Sequence, residues 1–134
     1  MFVIPESFSW SHPWIKIPDD YISFPSDHLT TVGTPHQILN AELHREMPEG
    51  HTLYARATEV VAVCTVTHKD FVFVTDDASK PIAIVHLTWS LETNPIWPRT
   101  QIIASLEHLK LEIRKWADKD FWGWPGKSRL IQDR

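Results

Sequence analysis

The sequence predicts an α+β domain, a three-stranded or larger antiparallel meander flanked by two helices, on the strength of three observations. Three runs rich in β-branched residues fall between residues 58 and 89, with short polar turns between them. One helical pattern precedes these runs and another follows them, each with an apolar face. Turns this short join antiparallel neighbours, because a parallel crossover needs a dozen residues or more. At 134 residues and 15.6 kDa the chain fits one domain. It divides into an extended arm (1–33), a helix–meander–helix core (34–117) and an aromatic tail (118–134).

The arm has no clear period. Pro5, Pro13, Pro18 and Pro25 alternate with Phe2, Phe8, Trp10, Trp14, Tyr21 and Phe24. Proline removes donors and fixes φ, which disfavours a long helix or a central strand. The aromatic content argues that the segment packs on the domain, with a short strand near 14–17. The first helix starts at Thr34-Pro35-His36-Gln37, which offers a capping hydroxyl, proline at the first helical position and Gln three residues after the cap. Leu39, Leu43 and Met47 then share one face, and Pro48-Glu49-Gly50 ends it. Strands are expected over 58–66, 71–75 and 82–89, the last two joined by Asp76-Asp77-Ala78-Ser79 turn chemistry. Their near-continuous apolarity predicts cover on both faces. Residues 90–99 read as a loop. The second helix is expected to begin between Thr100 and Ser105, with Ile102, Leu106, Leu109, Ile113 and Trp116 on its buried face.

Composition narrows the function classes. No apolar run approaches the ~18 residues of a membrane span, and the N-terminus lacks a signal-peptide pattern, so no membrane partner is expected. The single cysteine, Cys64, lies in an apolar run and reads as a buried, inert thiol. Together these features point to the cytoplasm. Net charge is −4, and it is uneven. Residues 1–50 carry seven acids against two bases, whereas the remainder carries ten acids against eleven bases. A nucleic-acid domain has a stronger basic surplus than this. Seven tryptophans and ten prolines against four glycines are the unusual counts. Tryptophan braces irregular segments onto a core and also anchors interfaces.

Val85-His86-Leu87-Thr88-Trp89-Ser90, followed by Trp97-Pro98 and a helix, resembles a stretch of a group of small uncharacterised bacterial proteins. In that group a "VHLTWS…WP"-like stretch follows an acidic helical segment ending in a "GH.LY"-like sequence, here Glu42 through Gly50-His51-Thr52-Leu53-Tyr54. The resemblance covers about residues 36–110 and implies the order helix, meander, helix. The group has no established activity, so the resemblance implies no catalytic residue and no cofactor.

No catalytic set is recognisable from the residues themselves. Eight histidines invite a metal reading, but no H-E-x-x-H, cysteine pair or carboxylate triad has ligand spacing. Cys64 sits mid-strand without a basic neighbour, and the four glycines never cluster into a phosphate loop. The candidate binding residues are His51, His86, Trp89, Trp97 and Arg99. His86 alternates with apolar neighbours in the third run, where a hydrogen-bonded core histidine is the commoner outcome. Trp89 and Trp97 on one loop suit an aromatic wall with Arg99 as an anion holder, or else a loop pinned to the sheet. The expected function is a small protein-binding or interaction module, of the kind an immunity protein or antitoxin represents. The rival is a small enzyme or ligand-binding domain with a pocket near His86, Trp89 and Arg99, to which His51 would converge. No metal and no cofactor is expected.

Overall fold

Residues 1–25 and 33–117 are described by the computed structural model. In chain order the elements are β1 (Trp14–Lys16), α1 (Pro35–Glu46), β2 (Thr58–Cys64), β3 (Asp70–Thr75), β4 (Ile82–His86), β5 (Arg99–Ile103) and α2 (Leu106–Lys115). The five strands form one antiparallel sheet in the order β1-β2-β3-β4-β5. The fold is therefore α+β, with the expected meander widened by one strand at each edge.

Every residue of β3 and β4 is buried, which requires cover on both sheet faces. Strand alternation divides their side chains between two cores. Phe71, Phe73, Ala83 and Val85 join Leu39, Leu43 and Met47 under α1. Val72, Ile82 and Ile84 join Leu109, Ile113 and Trp116 under α2. The sheet is a septum between them.

Helix starts follow their caps. The Thr34 hydroxyl accepts from the Gln37 N–H at 3.1 Å, and the Gln37 side chain accepts from the Thr34 N–H at 2.9 Å. That reciprocal pair satisfies two of the donors a helix N-terminus leaves open. Ser105 caps α2, its hydroxyl accepting from the His108 N–H at 3.1 Å.

Two boundaries differ from expectation. Residues 99–103 form β5 rather than the end of a loop and the start of a helix. Ile102 sits four residues before Leu106, a spacing that imitates a helical face, yet it packs on the α1-side core while Leu106 packs on the α2 side. Without β5, the fully buried β4 would be left as an open edge. The third strand also ends at His86, short of Trp89. The chain turns there, and Trp89 adopts φ +58°.

The arm wraps the β1 edge. Phe2, Ile4, Phe8 and Trp10 pack against the α2-side core, whereas Ile17 and Tyr21 belong to the α1-side core. The Phe2 N–H donates to the Thr75 carbonyl at 3.0 Å, and Trp14 meets Trp116 edge-on at 5.1 Å. A cavity of about 480 Å³ lies between the arm and β2, lined by residues that include Phe2, Ile4, Phe8, Trp10 and Val61. The expected tail, with Trp122 and Trp124, and residues 26–32 of the arm lie outside the described residues.

Because the sheet separates the cores, trimming one should leave the other unaffected. Ile17→Val on the α1 side and Ile113→Val on the α2 side should each cost about 0.5–1.5 kcal/mol. In urea unfolding the double variant should equal their sum to within about 0.5 kcal/mol. A larger discrepancy would mean the two cores are not independent.

Candidate functional site

The α1 face of the 88–100 segment is fixed by buried polar groups on and just after the first helix. Positions 38, 39, 42, 43 and 46 form the buried stripe of α1, and two of them are glutamates, Glu42 and Glu46. Glu46 is fully buried. Its Oε1 accepts from the Thr88 N–H at 2.8 Å, and its Oε2 accepts from the Trp89 N–H at 2.6 Å. Two consecutive backbone donors thus converge on one carboxyl group, which secures Trp89 in a left-handed conformation that is rare for a bulky residue. The Thr88 hydroxyl lies 2.7 Å from Glu92 Oε2 and 3.1 Å from Glu46 Oε1. Glu42 is gripped by Arg45, with Nε and a terminal nitrogen at 2.8 and 2.7 Å. Burial, reinforced by Glu42, pushes the Glu46 carboxyl up to about 9, against the opposing pull of the two backbone donors.

The far end of the segment is fixed by His51. Its Nδ1 accepts from the Leu53 N–H at 3.0 Å, so Nε2 carries the ring proton. That proton is directed at the Pro98 carbonyl, 2.8 Å away, with the Thr100 hydroxyl at 3.0 Å. Burial lowers the His51 pKa, so the neutral ring is the form the fold holds. Between the two anchors, Asn94 accepts from the Ile96 and Trp97 N–H groups at 3.1 and 3.0 Å. Pro95 rests on Gly50, where φ is +97° and an added Cβ would lie 3.4 Å from the proline ring. The stretch has no helix or strand, yet it is held along its length. It turns Leu91 and Ile96 outward, 72% and 66% exposed, while Trp97 is half-buried.

His86 and Arg99 lie on the other side. They are cross-strand partners in β4 and β5, and His86 is also paired with Asp70. Val85 and Leu87, on either side of His86, belong to the α1-side core, so alternation places His86 on the α2 face. Its Nδ1 lies 2.9 Å from Asp70 Oδ1, and the Thr67 hydroxyl donates to Asp70 Oδ2 at 2.7 Å. On the same face, Gln101 donates to Glu112 at 2.7 Å, while its buried Oε1 has no hydrogen-bond partner among the described residues. Cys64 belongs to this core too, and burial raises its thiol pKa, which keeps it protonated and unreactive.

The five predicted residues therefore fall into two groups. His51 and Trp89 belong to the α1 side, where Trp89 meets Phe24 edge-on at 6.0 Å. His86 and Arg99 stand together on the α2 side, and the two histidines do not converge. Trp97 lies in the loop between β4 and β5. None of the five lines the cavity beneath the arm. Glu42, Glu46, Glu92 and Asp70 were not singled out from the sequence. The signal for the first two was present, because glutamates at 42 and 46 interrupt the same helical stripe that Leu39 and Leu43 define. Among the described residues, no group of three or more His, Cys, Asp or Glu side chains is placed to hold a metal ion.

The His51 anchor has a pH signature. A histidine whose pKa is lowered by folding contributes stability that is present above the ordinary value of 6.5 and is lost as pH falls below it. His44, hydrogen-bonded to Thr58 and also lowered by burial, acts in the same direction. Urea midpoints should therefore fall between pH 7 and pH 5, and His51→Gln, which retains a donor near Pro98, should flatten part of that fall. An unchanged slope in His51→Gln would remove the anchor from this account.

Compared with family models, with curated proteins and with solved structures, the chain matches none of them.

Proposed function

We propose that the protein is a cytoplasmic protein-recognition module whose contact surface is the 90–97 loop. The observation that carries this reading is the pairing of a rigidly held irregular segment with outward-facing apolar side chains. Function concentrates on loops held by a rigid scaffold, and a preformed loop loses little entropy on binding. Leu91 and Ile96, with Trp97 beside them, have the chemistry of an interface anchor. The partner supplies an apolar groove for these side chains. The −5 charge balance of residues 1–50 favours a basic partner surface and steers its approach. An immunity- or antitoxin-like role, with a basic protein as the target, is the specific form of this reading.

The test is affinity purification from the native host with three baits. The wild-type chain should return one stoichiometric protein. Leu91→Asp and Ile96→Asp should each weaken capture about tenfold or more, with melting temperatures close to wild type because neither side chain is buried. Failure to recover a stoichiometric partner with wild type, or full retention by both variants, would sink the reading.

A second reading has its own observation, the Asp70–His86 pair beside Arg99. A buried carboxylate that fixes one imidazole nitrogen leaves the other directed for a ligand. The cross-strand guanidinium suits an anionic group on that ligand. In this reading the chain is a small-molecule-binding domain, with His86 and Arg99 as the recognising residues. Inorganic phosphate and acetate should raise the melting temperature of wild type and should do so less in His86→Gln and Arg99→Gln. Equal shifts in all three chains would discard it.

A further inference from the structure

Beneath the recognition loop, protons can be counted from the contacts. The Thr88 hydroxyl has one hydrogen but stands within hydrogen-bonding distance of two carboxyl oxygens, Glu92 Oε2 at 2.7 Å and Glu46 Oε1 at 3.1 Å. The hydroxyl can give a full two-centre hydrogen bond to only one of them, and a hydrogen on a carboxyl group would complete the other. Glu46 is one of the two acids that meet on this hydroxyl. It is also the most deeply buried of the three acids, with no exposed surface, against 4% for Glu42 and 8% for Glu92. The groups facing it are Glu42, neutralised by Arg45 on the helix, and Glu92 across the Thr88 hydroxyl. Neither is a cation that would favour a charged Glu46.

Resting on the loop-recognition reading, we propose that the loop closes only with a proton bound in the Glu42–Glu46–Glu92 cluster, held chiefly on Glu46, so that opening the loop releases that proton. Closure buries the Glu46 carboxyl against the N–H groups of Thr88 and Trp89. Opening exposes the carboxyl group, which then ionises as an ordinary glutamic acid. The balance is one proton to solvent for each opening. Between the ordinary carboxyl range and the raised value of about 9, the ratio of open to closed loop rises about tenfold for each pH unit. The relation holds across neutral pH, far from the midpoint, because the two states differ by one bound proton there. Partner binding that needs the closed loop weakens as pH rises, and binding that needs an open loop strengthens.

Two measurements test this on the isolated full chain, without any partner, so they stand or fall separately from the recognition reading. Amide hydrogen exchange, corrected for the intrinsic pH dependence of exchange, reports opening at Thr88 and Trp89, with Val72 and Phe73 in β3 as the global reference. Protection at Thr88 and Trp89 should be lower than in β3 and should fall about 100-fold from pH 6 to pH 8, while Glu46→Gln should show no such fall. Carboxyl-carbon NMR should also find Glu46 protonated at pH 7. The proposal is overturned by pH-independent protection in wild type, by an equal fall in Glu46→Gln, by Thr88 and Trp89 tracking the β3 amides, or by an ionised Glu46 at pH 6. Should Glu46→Gln fail to fold, the NMR titration of wild type decides alone.

Discussion

Burial of β3 and β4 on both faces is the constraint from which the rest of the architecture follows. A central strand pair without a solvent face needs a helix on each side, and it therefore needs two cores. It also needs flanking strands, which are supplied by β2 and β1 on one side and by β5 on the other. The period of two then decides which side chains can meet. Phe71 and Val72 are neighbours in sequence yet belong to different cores. His51 and His86 are kept apart by the same rule. A polar group that reaches this interior must bring its hydrogen-bond partners with it, because little water is there to supply them.

Both anchors of the 90–97 loop meet that requirement, with opposite chemistry. His51 is held as a neutral ring that donates at one nitrogen and accepts at the other. Glu46 is held as a buried acceptor for two backbone N–H groups. Protonation breaks the first arrangement, since a charged imidazole cannot accept from Leu53. Loss of a proton breaks the second, by leaving charge on a carboxyl group with no exposed surface. Acid thus disturbs the Pro98 end and base the Thr88 end, so the segment is clamped at both ends only between those limits. A structural arrangement with one hydrophobic and one polar anchor would have no such window.

Local signals were readable and tertiary ones were not. The Thr34–Gln37 capping box, the Leu39–Leu43–Met47 face and the three β-branched runs depend on residues within four or five positions of one another. They led directly to α1 and to β2, β3 and β4. The fifth strand was hidden because Arg99, Thr100 and Gln101 carry no apolar alternation, and because Ile102 falls in phase with the α2 face. Its pairing is decided by β4, which needs a neighbour. The candidate site was legible only in part. His86 and Arg99 are joined by register, which becomes definable only once β5 exists. Glu46 was visible as an acid on an apolar stripe, but its partners lie 42 and 43 positions further along the chain. Asp70 opens β3 directly opposite His86, a pairing that needed the exact register of the hairpin.

The brevity of β1 has a bearing on how the molecule behaves in a crowded solution. It contributes only Trp14, Ile15 and Lys16 to the sheet margin, and Pro18 follows almost at once. Lys16 reaches Glu6 at 2.9 Å and places charge along that margin. A second copy seeking to extend the sheet would find a margin three residues long whose Trp14 N–H is already given to the Ser11 carbonyl at 2.8 Å, then a charged side chain and a residue that cannot donate. Such a margin is a poor template for runaway strand addition at this edge of the sheet.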